Sequence, residues 1–156
     1  TTEEAWSHRP QGVLDKADSI HLRTFPAIPT EWKDAALAEK WIKVQEIRSA
    51  VLKAIEPHRA NKLIGSSLEA EAVITANDSY KNSLINVDLP EVCIVSKAMI
   101  SFNFDGLDAG AQKTEGCKCE RCWKILPEVG SDKEHKGLCA RCADAVRWYV
   151  KQKIAA

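Results

Sequence analysis

Five of the six cysteines in this chain fall between residues 117 and 142. Four of them form two Cys-x-x-Cys pairs, Cys119/Cys122 and Cys139/Cys142, with sixteen residues between the pairs. No other feature narrows the fold so much. The spacing lies in the range of a structural zinc site, where Zn(II) takes a closed tetrahedron of thiolates at about 2.3 Å. Two intervening residues let a tight turn aim both sulfurs at one ion. The longer insert, with Pro127, Gly130 and Gly137, returns the second turn to face the first in a hairpin-like excursion.

Redox-active dithiols are the competing account. Cys117 and His135 are rival ligands. Cys117 has no counterpart on the second arm and reads as a spare thiol, and His135 breaks the symmetry of the arms and reads as a surface residue. Cys93 sits in the apolar run "EVCIVS" and reads as a small buried side chain on a strand. A module this short has little apolar core, so the metal is expected to shape residues 117–142; zinc supplies about 10–16 kcal/mol in isolated finger peptides. Four protein ligands leave no open position, so the ion is expected to be structural and not a reagent.

Charge is unevenly spread. Residues 1–112 carry 12 basic and 16 acidic side chains, net −4; residues 113–156 carry 10 and 6, net +4. A basic terminal portion suits an anionic partner such as nucleic acid, although an unevenly solvated surface explains the charge alone. Four thiolates and one Zn(II) together carry −2, and Lys118, Arg121, Lys124, Lys136 and Arg141 lie close by in sequence to offset it. No apolar run approaches the roughly 20 residues of a membrane span, and no signal peptide is visible. The chain begins on Thr1 and not on Met, so it reads as a piece of a longer protein.

Upstream, "PTEWKDAALAEKWIKVQEIRSAVLKAIEPH" predicts a long helix capped by Thr30. Its apolar stripe runs through Leu37, Trp41, Val44, Ile47 or Arg48, Val51 and Ile55, with Trp41 as packing material and Pro57 ending or bending the helix. A further helical turn is expected through "HRANKLI". "SSLEAEAVIT" alternates and predicts a strand with Glu69 and Glu71 on a solvated face. "NDSYKNSLINVD" predicts a short helix, "EVCIVSKAMISFNF" one or two strands, and "DGLDAGAQKTEG" a linker. The fold class is therefore α+β: a long helix with a small helix/strand domain, then a four-Cys zinc knuckle. No phosphate loop or hydrolase-like triad is present, so the piece alone reads as non-catalytic.

These residues carry a resemblance. "KTEGCKCERCW" followed by "LCARC" resembles the C-terminal zinc module of bacterial-type isoleucyl-tRNA synthetases. "NKLIGSSLEAEA" is similar to that family's helix-to-strand junction, "SIHLRTFP" to its arm, and "TTEEAW" to the end of its anticodon-binding bundle. The resemblance implies three parts: an extended arm at 1–29 following that bundle, a helix with a small α/β junction domain at 30–112, and the zinc module at 113–156. It implies a parent ligase that joins isoleucine to its tRNA with ATP, its catalytic motifs lying upstream and absent here. Cys119, Cys122, Cys139 and Cys142 carry over as the ligands of one Zn(II). The implied partners are the anticodon end of the isoleucine tRNA and the upstream domains, in a cytoplasmic monomer without membrane contact.

Single-stranded RNA is recognised by stacking on aromatic or guanidinium planes and by phosphate contacts. Arg121 and Trp123 flank a ligand, and Trp123 can stack on a base or pack on the metal turn. Arg121, Lys124, Arg141 and Arg147 are the phosphate-contact candidates. Two other readings compete: a DNA-binding knuckle like that of formamidopyrimidine-type DNA glycosylases, and a purely structural zinc cap.

Overall fold

The computed structural model describes residues 1–10, 12 and 17–154. Residues 11 and 13–16 of the expected arm, and the last two of the zinc module, lie outside the described residues. The chain divides into two compact units, Thr1–Asp34 and Ala35–Ala156.

In the first unit, helix α1 (Thr2–Ser7) buries Trp6. The indole Nε1 donates to the carbonyl of Ala17 at 2.9 Å, and the Arg9 guanidinium lies 4.0 Å from the ring centroid. The Ser19 hydroxyl accepts from the His21 N–H and so caps a short turn at Ile20–Leu22. Thr30 does not cap the long helix; it sits in a separate 3₁₀ turn, Thr30–Trp32, closed by bonds to the carbonyls of Pro29 and Thr30.

The second unit is α+β. Its long helix α2 runs Ala35–Ala60. Val44, Ile47, Val51 and Ile55 are fully buried, at the 3.6-residue period that the sequence displays. Leu37 and Trp41, expected in the same stripe, are 49% and 41% exposed. The first turns of α2 lie against residues 79–85, where Lys40 and Lys43 donate to the carbonyls of Ile85 and Ser79 at 2.8 and 2.6 Å. Pro57 lies within the last turn, and the helix continues past it to Ala60. It closes with a Schellman pattern: Leu63 N–H to the His58 carbonyl and Lys62 N–H to the Arg59 carbonyl, both at 2.9 Å, with Lys62 at φ +57°. This replaces the further helical turn expected through "HRANKLI".

Three strands form one sheet in the order β2-β1-β3. Strand β1 (Ala70–Ala76) is central. It pairs in parallel with β2 (Lys97–Ser101), Ala72 opposite Ala98, and antiparallel with β3 (Leu107–Lys113), Ala72 opposite Ala111. Ala70, Ala72 and Ile74 share one buried cluster with Ile47, Val51 and Ile55 of α2; the two alanines let the helix approach the sheet, and Ile74 fills the core between them. The crossover from β1 to β2 carries two 3₁₀ turns, Asp78–Tyr80 and Asn82–Leu84, where the sequence predicts a helix. A real but short helix follows, α3 (Leu89–Cys93), whose first turn the Asp88 carboxylate caps by accepting from the Glu91 N–H.

Several expectations are corrected here. Cys93 is fully buried, but on α3 and not on a strand. Aspartate at the cap and Pro90 in the first turn favour helix over the apolar run's strand signal. The predicted linker "DGLDAGAQKTEG" holds β3; Leu107, Ala109 and Ala111 do alternate against Asp108, Gly110 and Gln112, but after Leu107 the alternation rests on alanines too small to stand out. Glu71 is 8% exposed and paired with Lys97 at 3.0 Å, so it is not part of a solvated face. Glu69 precedes the strand in a 3₁₀ turn and accepts from the Gly65 N–H. No helix among the described residues is long and apolar enough to cross a membrane.

Candidate metal centre

The site is built on a two-stranded hairpin, β4 (Cys117–Lys118) and β5 (Ile125–Leu126), and on the start of a helix, α4 (Ala140–Ile154). In the hairpin turn the Trp123 N–H donates to the Cys119 carbonyl and the Cys119 N–H to the Lys124 carbonyl, both at 2.9 Å. Trp123 adopts φ +66°, which reverses the chain and turns Cys119 and Cys122 inward. Gly116 enters the hairpin at φ +131°, where a Cβ would lie 2.6 Å from the Leu126 carbonyl carbon. The second pair begins α4: Cys139 immediately precedes the helix, and its carbonyl accepts from the Ala143 N–H at 2.9 Å. Cys139 and Cys142 therefore share one face of the first turn, where the helix dipole favours anionic sulfur. The sequence reading did not include α4. Its signal was present: Cys142, Ala143, Val146, Tyr149 and Val150 recur at helical spacing from the second Cys pair onward.

All six cysteines are free thiols, which sets aside a disulfide framework. The Sγ atoms of Cys119, Cys122, Cys139 and Cys142 lie within 4.8 Å of one another. Cys122 and Cys139 Sγ are 3.8 Å apart. A tetrahedron with Zn–S bonds of about 2.3 Å has edges of about 3.8 Å, so the donor set fits one zinc ion. Cys119, Cys139 and Cys142 are buried, and Cys122 is half-buried. Cys117 is exposed on β4, and His135 donates its N–H to Asp132; neither joins the cluster.

The electrostatics call for a cation. Burial opposes ionisation at Cys119, but N–H donors from Cys122, Cys139 and Arg121 outweigh it and bring that thiol down to about 6. At Cys139, burial dominates and the neighbouring sulfurs add to it, pushing the thiol up to about 12. Burial also raises Cys122. Thiols this close cannot all ionise unless a divalent ion offsets their charge.

Around the sulfurs, the candidate contact residues have different fates. Arg121 is exposed and aims NH1 at Cys142 Sγ, 3.6 Å away. Trp123 is 61% exposed, with the Lys118 ammonium 5.6 Å from its ring centroid. Lys124 and Arg141 both reach Glu91 on α3, Lys124 at 3.8 Å. Arg147 bonds Asp132 at 2.7 Å and Asp144 at 2.8 Å. That guanidinium, with the N–H groups of His135 and Glu134, holds the Asp132 carboxyl down at about 2. Glu91 and Asp132 were missed by sequence reasoning. The Glu91–Arg141 contact spans 50 positions, and nothing local signals it.

Residues 116–145 match the zinc finger found in FPG and IleRS. Curated relatives extend the likeness. The isoleucine–tRNA ligase of Zymomonas mobilis is 40% identical over 148 residues, 94% of this chain. Over almost its whole length, the chain is similar to part of isoleucine–tRNA ligase. The ligases of Bartonella henselae and Rhodopseudomonas palustris are 36% and 39% identical over the same 94% of the chain. The chain spans only 15–16% of the length of these three ligases. The likeness runs well beyond the zinc finger into the α/β layer.

Proposed function

We propose that the chain is the C-terminal, tRNA-binding portion of an isoleucine–tRNA ligase, a cytoplasmic monomer whose ATP-dependent catalytic domain lies elsewhere in the parent. In this reading Cys119, Cys122, Cys139 and Cys142 hold one structural Zn(II). Residues 1–29 follow the anticodon-binding bundle, 30–112 form the junction and 113–156 the zinc module, which meets the anticodon end of the tRNA. The observation that carries the reading is an exposed guanidinium and an exposed indole, Arg121 and Trp123, presented on either side of a sulfur of the cluster. These are the planar groups on which unpaired bases stack. The breadth of the similarity to ligases, far past the zinc finger, favours tRNA over the damaged duplex DNA of the glycosylase reading.

A structural cap remains the second reading, and one observation favours it in part. Lys124, Arg141 and Arg147 are all engaged in ion pairs within the chain. Phosphate contact by all four candidate cations would give a slope of log affinity against log salt of about −3; contact by Arg121 alone lowers it to about −1. The test is zinc content alongside tRNA binding for the chain, Cys139→Ser and Arg121→Glu. The proposal expects loss of metal and binding in the first variant, and weakened binding with metal retained in the second. Unchanged affinity and salt dependence in Arg121→Glu would favour the cap.

A further inference from the structure

Besides the join at the end of β3, where the Thr114 N–H donates to the Glu69 carbonyl at 2.8 Å, side chains from both arms of the metal turn reach one short segment, residues 91–96. Glu91 accepts from Arg141 and pairs with Lys124, whose side chain is only 13% exposed. Five residues on, Ser96 is 4% exposed. Its hydroxyl donates to the Leu68 carbonyl ahead of β1 and accepts from the Ile125 N–H of β5 at 2.7 Å. On the module side, Lys124 and Ile125 follow the ligand Cys122, and Arg141 lies between Cys139 and Cys142. Each arm of the metal turn is thus tied to the same carboxylate, and the first arm also to a buried hydroxyl.

An ion held by four sulfurs fixes the two arms relative to each other. It does nothing to fix them relative to the sheet. We propose that Glu91, supported by Ser96, is the positioning residue that locks the zinc module onto the α3–β2 segment and so sets the direction in which Arg121 and Trp123 face. Lys124 and Arg141 then serve as the internal half of this clasp and not as phosphate ligands. The consequence for RNA rests on the function proposed above; the clasp itself does not.

Glu91→Gln removes the charge and keeps the shape, and Glu91→Ala removes the group. Both leave the α3 cap intact, because Asp88 binds the backbone N–H of residue 91. Glu128→Gln, an exposed acid on the module's outer turn, is the charge-matched control. The measurements are zinc content, amide hydrogen exchange across residues 117–128 of the zinc-loaded chain, and tRNA affinity of the parent enzyme. The clasp predicts full zinc content in every variant, and exchange at the Ile125 amide faster by about tenfold in Glu91→Ala, less in Glu91→Gln, and unchanged in Glu128→Gln. Unaltered exchange in Glu91→Ala would overturn it, as would loss of the metal, since the ion and the clasp would then be one unit. Faster exchange with unchanged tRNA affinity would leave the clasp standing and count against the RNA reading.

Discussion

Removing the metal should unfold one part of the second unit and spare the other. The buried residues around the site are Cys119, Cys139 and Cys142 themselves, and the apolar side chains packed on them, Leu126, Val129 and Leu138, are only half-buried. Complete burial of such a side chain is worth about 1.5–3 kcal/mol, so three half-buried ones contribute roughly 2–5 kcal/mol. That is several-fold less than the ~10–16 kcal/mol available from zinc in finger peptides. The 15-residue α4 is marginal in isolation and cannot compensate. The α/β layer has its own core in Ile47, Val51, Ile55, Ile74 and Val95, each fully buried. Chelation, verified by elemental analysis, should therefore abolish amide protection across residues 117–138 and fray α4. Residues 44–55 and 70–76 should keep theirs. Cys139→Ser should do the same with zinc present in solution. Persistent protection of 117–138 in metal-free protein would refute the argument that the ion shapes this module.

Three further outcomes follow from particular contacts. Gly116→Ala should weaken the hairpin by about 1–3 kcal/mol and speed zinc transfer to a colorimetric chelator, because its Cβ meets backbone at 2.6 Å. Gly137→Ala should do less, since the atoms it meets belong to the flexible Glu120 side chain. Ile74→Ala, at the centre of the sheet, should cost about 2–5 kcal/mol in urea denaturation while zinc content stays constant. The Tyr80 hydroxyl donates to Glu46 at 2.8 Å, and that bond raises its ionisation above 10. Its contribution to stability is present below the unfolded tyrosine's pKa and is lost as pH rises through the folded value. Ultraviolet titration of the Tyr149→Phe chain should show a midpoint above 10 that falls in Glu46→Gln.

What could be read from residue order alone was whatever repeats at short range. Two Cys-x-x-Cys pairs announced a four-sulfur cluster, because a tight turn converts that spacing into convergent side chains whatever surrounds it. Val44, Ile47, Val51 and Ile55 announced α2, because a 3.6-residue period places them on one face. Folding alone decided the rest. Strand β3 is a strand because β1 offers it an edge, not because of its alanines. Trp41 is 41% exposed although it continues the stripe that buries Val44, Ile47, Val51 and Ile55. Lys124, Arg141 and Arg147, free cations in any linear reading, find Glu91 and Asp132, acids brought beside them across intervals of 15 to 50 residues. Charge in a sequence has no direction; a partner supplies one only after the chain has closed on itself.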